Sequence, residues 1–309
     1  MIETQTRNLS DWIRFLDVVE IPVLQRTVVE LARLREDEDR VGARNIAQVL
    51  LHDPLFTLRV LRYLQAHRRN VQTADITTLE HALMMLGIGP FFTHFVNLPV
   101  VEEVMASQPL AIDGLMRVAY RAHHAALYAR DWANLRRDSR ADEVAIAALL
   151  HDLAEMLLWC FAPVTSLRIS EMMRTEEHLR SSVAQTRVLG FKISQLQHKL
   201  IGEWKLAPVL QELMDDSHGS QPRSANAALA VSLARHSVSG WDNPALPDDY
   251  VGIQQLLKLS PPETAVRIRH AALEAYAARD WYHIEDASTP LDPDNPPNGV
   301  KDSPKFDDT

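Results

Sequence analysis

Two groups of side chains in this chain have the types and spacing for chemistry. The first is His151-Asp152, adjacent residues inside the apolar stretch Ala147-Ala148-Leu149-Leu150-His151-Asp152-Leu153-Ala154. Burying two titratable groups in one helical turn costs on the order of several kcal/mol unless partners pair with them. The second lies one helix upstream, where His123-His124 precedes Tyr128 and Asp131. Helical periodicity sets His124, Tyr128 and Asp131 on one face. In a helical bundle, facing helices bring such groups together on a divalent ion, and His with carboxylate suits Mn, Fe, Zn or Ni. The candidate metal set is His151, Asp152 and His124, completed by Asp216 or His218. One bound ion would lower the pKa of a water for attack on phosphorus. The plainer reading makes His151-Asp152 a structural pair tying neighbouring helices together.

Arginines form the other cluster: Arg59, Arg62, Arg68 and Arg69 at one helix end, and Arg130, Arg136, Arg137 and Arg140 near another. Such runs usually are solvated faces or complements to a helix C-terminus. Arg59, Arg62, Arg121 and Arg130 make the candidate anion patch. No Walker loop, strand-following GxGxxG or Gly-x-Ser-x-Gly occurs, so those routes to nucleotide or ester hydrolysis lack support. Cys160, among Leu157, Leu158, Trp159 and Phe161, reads as a small buried hydrophobe. Met84-Met85 is expected in the core, and His123-His124 as a partly exposed pair.

The elements that must position these groups are helices. Ten glycines in 309 residues is about half the usual share, which helices tolerate and tight-turned sheets do not. Apolar residues recur at three and four in Leu58-Val60-Leu61-Leu64 and Leu196-Leu200-Trp204. Punctuation predicts a helix over 10–19, a second opened by Pro22, one over 54–67 capped by Asp53, and one capped by Thr77-Thr78 and closed by Gly87. Further helices are expected over 112–136, 142–160, 164–175, 177–189, 194–204, 208–216, 224–237, 253–257 and 262–282. The chain therefore reads as all-α, with a soft boundary between Pro99 and Ile112.

Composition narrows the function classes. The net charge of −9 disfavours a protein that coats nucleic acid by counterion release. A single cysteine excludes an internal disulfide, a zinc finger and a cluster held by several cysteines. No apolar run approaches the ~18 residues of a membrane span and no secretory pattern opens the chain, so a cytoplasmic protein without membrane attachment is expected. Residues 285–309 carry five prolines and seven acids against two lysines, a composition of a disordered acidic tail.

From about Ile21 to Ala277 the chain resembles the HDOD domain, the HD-related output domain of bacterial signalling proteins. The likeness lies in an ordered set of short pieces: Ile21-Pro22, Ile46-Ala47, Asp53-Pro54-Leu55-Phe56-Thr57, Ile76-Thr77-Thr78-Leu79 and Leu86-Gly87 in the first part. It continues through Ala126, Ala129 and Ala133, then Leu150-His151-Asp152-Leu153, Leu189-Gly190-Phe191, and Trp204-Lys205-Leu206 with Pro208. The resemblance implies an HD-like multi-helix bundle divided into a lead-in helix (1–20), an N-terminal helical half (21–105), an HD-like half (106–284) and the tail (285–309).

Departures from the family pattern bear on function. Aligned on the alanines that end at Ala133, the first HD histidine falls on Arg121, a poor metal ligand. Ile193 stands where the family often has histidine and Gln197 where it has glycine; the later His-His pair is replaced around Asp215-Asp216-Ser217-His218, and no Asn occurs in Leu64-Gln65-Ala66-His67. No Gly-Tyr-Pro of the cyclic di-GMP phosphodiesterases occurs. The resemblance thus implies a non-catalytic signalling module with a degenerate site, no cofactor, and a protein partner or a nucleotide-like ligand. The alternative is a residual phosphohydrolase with a single divalent metal.

Overall fold

A computed structural model describes residues 8–36, 40–67, 76–176, 179–215, 221–238 and 240–285. The acidic tail after Glu285, Arg68-Arg69 and Asp216 to Ser220 lie outside the described residues. Helices dominate and, among the described residues, the sole β-type pairing is a parallel bridge between Val23 and Val100. That all-α architecture is the expected one.

The first part comprises α1 (Leu9–Val18), α2 (Gln25–Arg35), α3 (Ala43–Leu50), α4 (Pro54–Ala66), α5 (Leu79–Leu86), α6 (Ile88–His94) and α7 (Val101–Val104). Pro22 does not open α2; the segment from Ile21 to Leu24 runs extended and pairs with the chain at Pro99 to Val101 through Val23 N to Pro99 O (2.9 Å) and Val101 N to Val23 O (2.9 Å). Asp53 ties the segment that begins at Ile21-Pro22 to the helix opened by Asp53-Pro54. Its buried carboxylate caps α4 by accepting from Phe56 N (2.9 Å) and also accepts from Leu24 N (2.8 Å), at the entry to α2. Gly87, at φ 87°, ends α5 and starts α6, a turn that a side chain would strain.

The second part is α8 (Pro109–Leu135), α9 (Ala141–Leu150), α10 (Leu153–Phe161), α11 (Pro163–Thr175), α12 (Ser181–Leu189), α13 (Ile193–Glu203), α14 (Pro208–Leu213), α15 (Pro222–Ser237), α16 (Leu246–Leu257), α17 (Pro261–Ala277) and a closing 3-10 turn, Arg279–Tyr282. α8 is the central post, packed against α9, α10, α15 and α17. Its alanines 111, 119, 122, 125, 126, 129 and 133 are all buried, which lets neighbours approach on several sides. The single helix expected over 142–160 is instead two, broken at His151-Asp152. Counted as one stretch, Ala141–Phe161 is long and apolar enough to cross a membrane, contrary to the sequence expectation; yet 78% of its apolar window is buried inside the protein, as in a core helix. The exposed pair is Met84-Met85, at 63% and 43%, because the short α5 turns Leu79, Ala82 and Leu83 inward.

One close approach fixes α8 against α10. A Cβ on Gly114 would lie 2.5 Å from the Trp159 indole, a rigid neighbour. Gly114→Ala is therefore expected to lower stability by about 1–3 kcal/mol despite its gain in helix propensity. In a Trp159→Leu background the same substitution should cost little; urea titration of the four proteins checks this, and an equal cost in both backgrounds would refute it.

Candidate functional site

The site is built where α9 gives way to α10. His151 and Asp152 occupy the break, and both side chains are largely buried. Arg121, from the middle of α8, reaches across: its Nε donates to Asp152 Oδ2 (3.0 Å) and its Nη2 to Glu155 Oε2 (2.6 Å), with the same Nη2 2.9 Å from Asp152 Oδ2. Arg235, near the end of α15, donates from Nη2 to Asp152 Oδ1 (2.8 Å). His151 Nδ1 lies 3.3 Å from that same Oδ1. Both oxygens of Asp152 are thus engaged, each by a guanidinium.

The electrostatics follow. Burial would raise the pKa of Asp152, but the Arg235 and Arg121 charges and the His151 contact hold it well below the usual carboxylate range. Burial would lower the pKa of Arg121; Glu155 and Asp152 more than reverse this, so its charge is permanent. Two cations and two carboxylates balance in one network, in which Arg121 and Asp152 are largely buried and Arg235 reaches in from the surface; such pairing is the condition for keeping a carboxylate there.

The break in the helix has its own cause. An unbroken helix would join Leu150 O to Ala154 N–H directly. Here the Gln197 amide, from α13, stands between them: Nε2 donates to Leu150 O (2.8 Å) and Oε1 accepts from Ala154 N (2.7 Å). Sequence reasoning marked Gln197 only as a departure from glycine and missed its role. It also missed Arg235 and Glu155; for Glu155 the signal was its spacing, one turn beyond His151 on α10.

The other predicted ligands are elsewhere. His124 is buried on α8 and meets Tyr120 and Tyr128 edge-on, at ring-centroid distances of 4.2 and 6.2 Å. Burial pushes its pKa down to about 3, against a pull from the Ala275 carbonyl of α17. Asp131 pairs with Arg267 of α17. His123 is buried too, not partly exposed: Nδ1 lies 3.1 Å from Leu51 O and its ring stacks on His52 (4.2 Å), which stacks on Trp281 (4.2 Å). His218 and Asp216 lie outside the described residues. Among the described residues no three His, Cys, Asp or Glu side chains are grouped to hold a metal ion.

The arginines of the anion patch do not converge. Arg59 donates to Ile21 O and to Glu20 (3.1 Å), and Arg62 donates to Asp17 O (3.0 Å) while its guanidinium lies 4.3 Å from the Trp204 ring centroid. Arg62 serves the last turn of α1 and Arg59 the chain between α1 and α2, where carbonyls lack helical partners. Arg121 is committed to Asp152, and Arg130 lies 3.6 Å from Glu274. Cys160 is buried, as expected, and burial raises its thiol pKa out of reach.

With this geometry described, comparison with known proteins is informative. The HDOD domain family matches residues 21–220. A virulence factor from Campylobacter jejuni subsp. jejuni superposes with a TM-score of 0.64 at 17% identity, over 86% of this chain and 98% of that one. The MmoQ response regulator from Methylococcus capsulatus str. Bath gives 0.53 at 19% identity, over 77% and 98%. No curated protein matches by sequence.

Two measurements follow from the buried charges. Arg121→Met leaves Asp152 and Glu155 short of a cation and is expected to cost about 1.5–3 kcal/mol; unchanged stability would show the ion pairs to be idle. The second concerns acid. His52, His123 and His124 stay neutral in the fold, with pKa values pushed down by burial to about 4, far below 6.5, and to about 3, but each protonates near 6.5 when unfolded. Their stabilising effect is complete above pH 6.5 and is lost as pH falls toward 4, at about 1.4 kcal/mol per unit for each. Asp53, which burial raises to about 6, opposes them by taking up a proton in the fold first. The urea midpoint should fall between pH 6.5 and 4.5, less steeply in His124→Gln; a flat profile would contradict the burial of neutral imidazoles.

Proposed function

The chain belongs to the HDOD domain family, which matches residues 21–220, and we propose that it is a signalling-related module of HD-like fold.

We propose that it acts without catalysis, as a regulatory module that binds a protein partner or a small ligand in the bacterial cytoplasm. The observation that carries this reading is the Arg121 guanidinium seated on Asp152. A metal site of the HD type needs that aspartate as a ligand and a neutral nitrogen where Arg121 stands. Arginine has no acceptor and does not deprotonate, so it offers no lone pair and repels a divalent cation. Of the imidazoles on α8, His124 sits against Tyr120, Tyr128 and α17, and His123 is engaged by Leu51 O and His52. The residues present do not fit a resident metal ion, and no hydrolytic step is derived through one.

The guanidinium does supply one service that a metal would: it neutralises and orients the buried carboxylate. It activates no water. An HD bundle can therefore keep its fold while its surfaces serve association. Its partner is a signalling protein or an anionic, nucleotide-like ligand.

Metal analysis by mass spectrometry on tag-free protein tests the reading, before and after incubation with manganese, iron, zinc or nickel. Wild type is expected to retain less than a tenth of an equivalent, about the level of His151→Ala. Near-stoichiometric metal that disappears in His151→Ala, accompanied by hydrolysis of a phosphate ester, would overturn the proposal in favour of a metal-dependent phosphohydrolase. If metal is absent, tagged full chain should recover a partner that fails to bind a variant with a disrupted surface.

A further inference from the structure

The amide of Gln197 does more than fill space. In an α-helix the carbonyl of residue i accepts from the amide of residue i+4, and Leu150 and Ala154 are such a pair. A side chain inserted into that ladder is one of the few physical causes of a sharp helix break. Gln197 takes up both ends of the missing bond, donating at 2.8 Å and accepting at 2.7 Å, and it is itself buried. Between the two, His151 keeps helical dihedrals (φ −60°, ψ −39°) and Asp152 leaves them (φ −98°, ψ 22°). Asp152 then reaches Arg121 on α8 and Arg235 on α15.

We infer that Gln197 is a positioning residue: its amide holds the His151-Asp152 turn open, and through it the placement of α13 governs the aim of Asp152. Withdrawing the amide leaves Leu150 O and Ala154 N–H to bond to each other, which closes the ladder into one helix over Ala141–Phe161 and turns Asp152 away from at least one arginine. The turn therefore has two hydrogen-bonded arrangements, each satisfying the same backbone groups. α13 is the element that selects between them. It packs between α10 and α1, and the ring of Trp204, directly after its last turn, lies under Arg62 of α4. A partner or segment that displaces α13 would reach the ion-pair network by this route. The inference does not rest on the loss of catalysis proposed above, since it concerns how the turn is held and not what the turn does.

The test compares wild type, Gln197→Leu, Arg235→Gln and the double variant of the full chain. Leucine is close in volume and cannot bridge the two backbone groups. Cα and carbonyl carbon NMR shifts of residues 150–154 should move to continuous-helix values in Gln197→Leu. The urea midpoints should be non-additive, with Arg235→Gln costing less than half as much in the Gln197→Leu background as it does alone. A side chain that merely packs would change neither the shifts nor the additivity. Turn-like shifts that persist in Gln197→Leu, or costs that add, would overturn the inference. Should Gln197→Leu fail to fold, Gln197→Met, with a flexible chain of similar length and no amide, takes its place in the same cycle and is read by the same two outcomes.

Discussion

A carboxylate placed at the break of a core helix cannot be left without cations, and the middle of this protein is arranged around that requirement. Asp152 faces away from water at the meeting of α8, α9, α10 and α15, where an uncompensated charge would cost several times the stability of an ordinary contact. Arg121 and Arg235 meet it from two helices, and Glu155 uses the spare capacity of Arg121. In the HD fold as a metal scaffold, a divalent ion performs the same neutralisation. Here the compensation comes from two guanidinium groups covalently attached to the chain. It also has no open coordination position, which separates the structural service of a cation from its chemical one.

Polar side chains also bridge elements at other places among the described residues. At the junction of the extended segment with α4, Asp53 takes the amides of Leu24 and Phe56. In the last turn of α1 and just after it, Arg62 and Arg59 take the carbonyls of Asp17 and Ile21. Glu143, buried at the start of α9, receives Thr77 (2.8 Å) from before α5 and Arg223 (2.8 Å) from α15. The phenol of Tyr282 donates to His52 O (2.8 Å) beyond the end of α3. Each fixture joins elements far apart in sequence, and all but the Glu143 pairings meet backbone groups left without backbone partners. Apolar burial supplies the bulk of the cohesion, but these polar fixtures set which helix end meets which loop.

Much of this architecture was legible. The glycine scarcity and the spacing of apolar residues indicated helices, and Asp53-Pro54 and Leu86-Gly87 marked a start and a stop. The order of short motifs identified the family, and the arginine at 121 was visible as the departure with chemical consequences. What was not legible shares a cause. Helices α3, α6 and α7 are short, and their formation depends on tertiary cover more than on local pattern. His123 and His124 seemed suited to partial exposure because histidine usually is, yet alanines on several sides of α8 already implied a helix enclosed all round, and any histidine on it is buried with it. Arg59 and Arg62 carry no mark in the sequence of the carbonyls they serve, since those partners lie 38 and 45 residues away.

Gln197 shows the limit most clearly. As a departure from glycine it could be noticed, but its meaning depends on Leu150 and Ala154, 47 and 43 residues before it. A glycine has no amide side chain with which to bridge those groups, so the residue type and the helix break belong together. Arg121 and Gln197 are then two departures on one turn: one supplies the charge that Asp152 requires, the other the backbone geometry that presents Asp152 to that charge. Neither alone would give a buried carboxylate both a direction and a counterion. The pair is what holds the His-Asp turn in this fold, with the backbone opened by one side chain and the charge met by the other.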